Sequence, residues 1–463
     1  MKFVPVLSFL LLLSLTSTAQ SSGNGGISDE LLGNMKASYK DTPADKALKN
    51  ALAGTPINTL AINSDNASMM DTHFSDKVET KGITDQKQSG RCWLFTGLNV
   101  LRAQAIATHN LPELTLSQGY VFFYDQLEKA NLFLQCVIDT RKKPADDREV
   151  DFLFSHPISD GGTFTGVADL VMKYGVVPAN AFVETGCANS TSQMRTILST
   201  KLRREGLLIR QAGNEREAVE IKENAMKDIY RILVLCLGNP PSSFEWTRED
   251  KSGKVVDTRT YTPQEFYREY FGNNLNDDYV MLMNDPGREY YKMYEIQYDR
   301  HVYDGHNWKY LNLPVGDIKE MAVASIKDNK AMYFSCDVGK CFSRKKGTLE
   351  LANYDYESLF GVNLSMDKPS RVASKASGSS HAMTLIAVDL DKDSGKPVKW
   401  MVENSWGRDA GYKGCLIMSD EWFDNYMFRL VVERKFVPEH LAGYLNLKPI
   451  LLPCWDPMFS EEE

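Results

Sequence analysis

The segment Asp85-Gln86-Lys87-Gln88-Ser89-Gly90-Arg91-Cys92-Trp93 constrains this chain most, because it sets a cysteine at a helix mouth and calls for partners that only folding can supply. After Cys92 the residues Leu94, Leu98, Leu101 and Ala105 recur at helical spacing, which predicts an amphipathic helix with Cys92 in its first turn. Unpaired backbone N–H groups at a helix start favour the thiolate, which is the nucleophilic form. Gln86 lies upstream, where the turn at Gly90 can bring its side-chain amide beside the sulfur to donate to a developing oxyanion. A lone cysteine opening a helix is commonly just a small buried hydrophobe, so the weight falls on its partners.

Those partners lie near the other end of the chain. His381 stands at the mouth of the apolar run Ala382-Met383-Thr384-Leu385-Ile386-Ala387-Val388, which reads as a buried strand. A second run, Trp400-Met401-Val402, leads into Glu403-Asn404-Ser405-Trp406-Gly407, and the polar stretch from Asp391 to Pro397 reads as the hairpin loop between them. Neighbouring strands then hold His381 and Asn404 on one wall of a cleft. An amide oxygen accepting from one ring nitrogen fixes the tautomer and leaves the other nitrogen to face Cys92.

Gln86, Gly90-Arg91-Cys92-Trp93, His381-Ala382-Met383 and Glu403-Asn404-Ser405-Trp406-Gly407 resemble the papain-like cysteine peptidases, and more closely their bleomycin hydrolase and aminopeptidase C branch. Asp160-Gly161-Gly162, Lys173-Tyr174-Gly175-Val176-Val177-Pro178, Thr262 to Tyr267, Cys336 to Lys340 and Leu452 to Met458 extend the likeness from about residue 70 to the end. The resemblance implies an α+β fold of two lobes, one helical with Cys92 and one β-rich with His381 and Asn404, with large insertions and a C-terminal arm. It implies Cys92 as nucleophile, His381 as base and then acid, Asn404 as the group orienting His381, and Trp406 as a shield over that bond. Gln86 with the Cys92 backbone N–H becomes the oxyanion hole. Gly162 takes the position that pairs its backbone with extended substrate, where the lack of a side chain allows close approach.

The same likeness bears on substrate and assembly. In this branch the C-terminal arm enters the cleft and meets the substrate α-amine, which makes the enzyme an aminopeptidase and casts Glu463 as a substrate-binding residue. This chain ends Phe459-Ser460-Glu461-Glu462-Glu463, and its carboxylates suit an ammonium group. A homohexamer is implied, acting on peptides, with no metal or other cofactor. The alternatives on the same residues are an endopeptidase with an open cleft, an amide hydrolase or acyltransferase, and a peptide-binding assembly with a relict site.

Composition limits the surroundings. The net charge of −8, from 61 acidic against 53 basic residues, and the absence of a long basic run argue against a nucleic-acid partner. Met1-Lys2, the apolar run from Phe3 to Leu15 and Thr16-Ser17-Thr18-Ala19 read as a secretory signal cleaved after Ala19, which predicts export to a bacterial periplasm or beyond. That run is too short for a convincing membrane span, and no comparable one follows. Of the eight cysteines, seven remain once Cys92 is set aside, at scattered spacings that resemble neither a zinc site nor a disulfide scaffold. Most read as buried thiols with room for one disulfide, and only Cys336 and Cys341 lie close in sequence.

The expected organisation is a signal at 1–19, an N-terminal extension at 20–80, a helical lobe at 81–200, a mainly helical insertion at 201–330, a β-rich lobe at 331–450 and an arm at 451–463. Helices are expected from Ser28 to about residue 53, from Leu116 to Phe133 and from Glu215 to Leu237, and strands from Ala331 to Cys336 and Cys415 to Met418.

Overall fold

The computed structural model of the protein describes residues 25–66, 70–272 and 274–459, so the expected signal and Glu463, expected to bind substrate, lie outside the described residues. Among the described residues, the chain up to Ala61 forms one unit and Ile62 onward another. In the first unit Ser28 caps the helix Asp29–Ser38 by accepting from Leu31 N, as its sequence predicts. That helix was expected to run on to about residue 53 but stops, because Thr42 precedes a proline and is pushed to extended backbone. Thr42 then caps a second helix, Pro43–Gly54, through a reciprocal pair of bonds with Asp45.

In the second unit the strands in chain order are β1 (Asp76–Lys77), β2 (Phe244–Glu249), β3 (Val255–Tyr261), β4 (Tyr279–Met283), β5 (Lys292–Ile296) and β6 (Lys309–Asn312). Then come β7 (Met332–Cys336), β8 (Phe342–Ser343), β9 (Thr348–Leu349), β10 (His381–Leu390), β11 (Pro397–Glu403), β12 (Cys415–Ser419), β13 (Met427–Glu433) and β14 (Ile450–Leu452). All but the β2–β3 hairpin join one sheet, ordered β14-β5-β6-β4-β13-β7-β10-β11-β12-β9-β8, with β1 pairing with β10. The residues from His381 to Val388 are buried without alternation, as suits a central strand covered on both faces. Antiparallel partners flank β10: His381 faces Cys336 on β7, and Thr384 faces Glu403 on β11.

Helices make the other half of this unit. The helix Cys92–His109 begins at the cysteine, as expected, and lies against β10 and β7. Gly97 lets it approach the helix Phe164–Tyr174 closely, since a Cβ there would meet Val167 Cγ2 at 2.6 Å. Ser117 caps the long helix Gln118–Thr140 by accepting from Tyr120 N, and the helix Glu215–Leu237 ends at Gly238, whose φ is +98°. One apolar core fills the helical half and a second the sheet half.

The stretch 201–330, expected to be mainly helical, departs from that after Leu237. It supplies the β2–β3 hairpin and three strands of the main sheet, β4, β5 and β6. Each of those three is only four or five residues long, too short for an apolar period to declare itself. The strands expected at 331–336 and 415–418 are β7 and β12 within a residue.

Candidate active site

Cys92 stands at the first position of its helix and is fully buried. Its Sγ accepts from Ala382 N at 3.5 Å, so the sulfur lies against the first peptide of β10 and beside His381. His381 Nε2 donates to Asn404 Oδ1 at 2.9 Å, and that same oxygen accepts from Ser405 N at 2.8 Å. The Trp406 ring stacks on His381 with centroids 4.8 Å apart and planes 29° from parallel. The fold thus gathers Cys92, His381, Asn404 and Trp406 from a helix start, a strand start and the turn after β11.

Gln86 is set in the loop before the helix by bonds at both ends of its amide. Ser405 Oγ donates to Gln86 Oε1 at 2.5 Å, and Gln86 Nε2 donates to Ser89 O at 2.6 Å. That leaves Nε2 a second N–H. Backbone ties bind the same loop to the Asn404 turn: Gln86 N donates to Ser405 O at 2.8 Å, Gly407 N to Thr84 O at 3.1 Å, and Asp85 pairs with Trp406. Ser405, one residue beyond Asn404, therefore orients Gln86, a task its sequence position did not announce.

Gly162 lies beside Trp93, and packing gives a reason for its missing side chain in addition to the one expected. A Cβ there would sit 2.2 Å from His301 Cε1 and 2.9 Å from Trp93 Cδ2, so packing alone demands glycine. His301 is held in turn by Asp125, with Nδ1 and Oδ1 2.5 Å apart, and its ring meets Trp93 edge-on at 4.6 Å. Burial works to raise the Asp125 carboxyl, but the Lys129 ammonium and His301 beside it more than offset this and hold it below the usual range. Trp93 Nε1 donates to Asp160 O at 2.9 Å, and Asp160 Oδ2 accepts from Gly90 N at 2.9 Å. Asp160 thus fixes both the turn before Cys92 and the ring after it. Asp125 and His301 escaped the sequence reading because they are 176 positions apart and match no local pattern.

The C-terminal arm is anchored as far as it is described. The strand β14 pairs in parallel with β5, Asp456 pairs with Arg288, and the buried Arg429 donates to Met458 O at 2.8 Å. Phe459 packs edge-on against Phe152 at 5.2 Å and lines a small cavity with Ser159, the neighbour of Asp160. Among the described residues no group of His, Cys, Asp and Glu side chains is arranged to hold a metal ion, and no helix is long and apolar enough to cross a membrane.

The sequence profile of the Peptidase C1-like family matches residues 26–459. The chain is 42% identical to human bleomycin hydrolase over 391 residues, covering 82% of this chain and 86% of that protein. It is 38% identical to aminopeptidase G of Lactobacillus delbrueckii subsp. lactis over 430 residues, covering 92% of this chain and 98% of the other. Its fold matches the crystal structure of PepW from Lactobacillus rhamnosis HN001 with a TM-score of 0.89 at 34% identity, over 94% of this chain and 99% of that one.

Proposed function

The chain belongs to the Peptidase C1-like family and is a cysteine-type peptidase with a papain-like α+β fold, and from that premise we propose that it removes residues from peptide N-termini through a thiol acyl-enzyme. The observation that carries this reading is the Cys92 sulfur lying against the start of β10 while Asn404 holds the adjacent His381 ring by its far nitrogen.

The steps follow from that geometry. Helix-start N–H groups and the neighbouring imidazole favour the Cys92 thiolate, which attacks the substrate carbonyl carbon. The second N–H of Gln86 Nε2 and the Cys92 backbone N–H take the developing negative charge. His381 passes its proton to the leaving amine, and then accepts one from the water that hydrolyses the thioester. Asn404 keeps the imidazole facing the sulfur, with Trp406 covering the bond. Gly162 presents backbone to the extended substrate, while His301 and Trp93 fill the space against its α-carbon.

Restriction to N-termini is ascribed to the arm. Phe459 lies beside the loop that leads to Gly162, which supports this reading, and Glu463 is assigned to the substrate α-ammonium. Relatives named aminopeptidase G and aminopeptidase C support exopeptidase action over the endopeptidase or acyltransferase readings. We further assign the protein a hexameric state with peptides as substrates, and export with Gln20 as the first mature residue, which N-terminal sequencing of the natural protein would read directly.

The test compares wild type, Cys92→Ala and a chain lacking Phe459 to Glu463 on free and N-acetylated peptides. Wild type should release N-terminal residues from free peptides alone, Cys92→Ala should be inactive, and truncation should open cleavage of acetylated peptides. Cleavage by Cys92→Ala at the wild-type rate would refute the mechanism, and unchanged specificity on truncation would refute the gate.

A further inference from the structure

Behind the loop that carries Gln86 lies a pair of thiols with no part in the reaction above. Cys187 sits in the one-turn helix Gly186–Asn189, and Cys236 in the last turn of the helix Glu215–Leu237. One hydroxyl clasps both elements: Thr185 Oγ1 accepts from Ala188 N at 3.1 Å and donates to Cys236 O at 2.8 Å. This sets the two cysteines side by side, where burial and the neighbouring Cys187 push the Cys236 thiol up, so that the first thiolate is expected from Cys187. Both are partly exposed, whereas Cys92, Cys136, Cys336, Cys415 and Cys454 are buried. The remaining partly exposed cysteine among the described residues, Cys341, lines a groove with Tyr426.

The segment holding Cys187 is also the brace of the catalytic loop. Gln88 N donates to Asn189 O at 3.0 Å, and Arg91 Nη1 donates to Glu184 Oε2 at 2.9 Å. Thr191 Oγ1 donates to Asp160, the residue that also accepts from Gly90 N. Gly186 and Ser190 are exposed, and the one-turn helix has few bonds of its own to hold it. Whatever fixes residues 184–191 fixes the turn before Cys92.

We propose that Cys187 and Cys236 are an oxidisable dithiol that closes to a disulfide and locks the brace behind residues 86–91 onto the long helix. The oxidant is a low-molecular-weight disulfide. One thiolate attacks it and expels the first small thiolate, leaving a mixed disulfide; the second cysteine thiolate attacks that bond and expels the other. Two protein thiols are thereby oxidised and one small disulfide is reduced to two thiols, the two protons going to solvent. The cross-link joins residues 49 positions apart and so removes considerable freedom from the unfolded chain. This inference stands on the thiol pair and is independent of the peptidase reading.

The test uses the full chain with Cys92→Ala, so that only the other cysteines respond, incubated with glutathione disulfide and mapped by mass spectrometry without reduction. The expected product is a peptide pair joined through Cys187 and Cys236. The melting temperature should rise by a few degrees, and amide exchange across residues 184–191 should slow about tenfold. Dithiothreitol should reverse all three in the same chain, and Cys187→Ser or Cys236→Ser should abolish the link. Stable glutathione adducts without a link, a link through other cysteines, or a link that leaves exchange unchanged would each overturn the proposal.

Discussion

Asn404 does its work with one oxygen. Its own chain fixes that oxygen through Ser405 N, and only then does the oxygen hold the His381 ring. Asn404→Ala removes an orienting bond about 1–3 kcal/mol deep, so kcat should fall roughly ten- to a hundredfold with little change in melting temperature; steady-state kinetics on an aminoacyl amide checks it. Cys92, His381 and Asn404 were legible in sequence because each stands where a helix or strand begins or has just ended, and such boundaries leave local marks. Ser405 and Gln86 meet across 319 positions, and nothing local marks that bond.

Lys368 was equally hidden, in a stretch with no apolar period, and its environment makes it unusual. Its Nζ is buried and donates to Asn284 Oδ1 at 2.5 Å and Met427 O at 2.6 Å, and burial brings its pKa down from 10.5 to about 7. Between those values the unfolded chain holds a proton that the folded chain has released, so stability rises with pH across the window. Below about 7 the full cost of the buried charge is present. Urea denaturation at pH 7 to 10 should show a slope of up to about 1.4 kcal/mol per pH unit from this group, which Lys368→Met removes.

At the scale of elements, an ion pair joins the Cys92 helix to β11, the strand that leads into Asn404. Arg102 Nη2 meets Glu403 Oε1 at 2.9 Å with both side chains at most 3% exposed. Burial raises the Glu403 carboxyl and Arg102 works against that, so removing the arginine strands a carboxylate in the core. Arg102→Leu should cost about 3–5 kcal/mol by urea midpoint, while Arg102→Leu with Glu403→Leu should recover most of it. The double variant failing to recover would show that Arg102 matters for its bond to Gly82 O instead. The helix from Glu215 to Leu237 and the hairpin at 381–403 were readable because long periodic or continuous apolar runs dictate them. The strands β4, β5 and β6 were not, since their place is decided by the sheet they join rather than by their own residues.

At the scale of the molecule, everything from Ile62 onward is one contact-dense unit, and the cleft lies inside it rather than between two independent bodies. The two-lobed papain-like fold was legible only because two distant motifs named a family; apolar patterning alone left most of the sheet unassigned. The backbone pairing of Thr84–Gln86 with Ser405–Gly407 has a consequence for how this protein fails on heating. With the Asn404 turn and the Gln86 loop tied by one short stretch of paired backbone, that side of the site should yield only when the strands around it do. Residual activity and tryptophan fluorescence should trace a single curve on heating, and activity vanishing several degrees earlier would reveal a weak seam in that pairing. Dead enzyme and unfolded enzyme should be the same population.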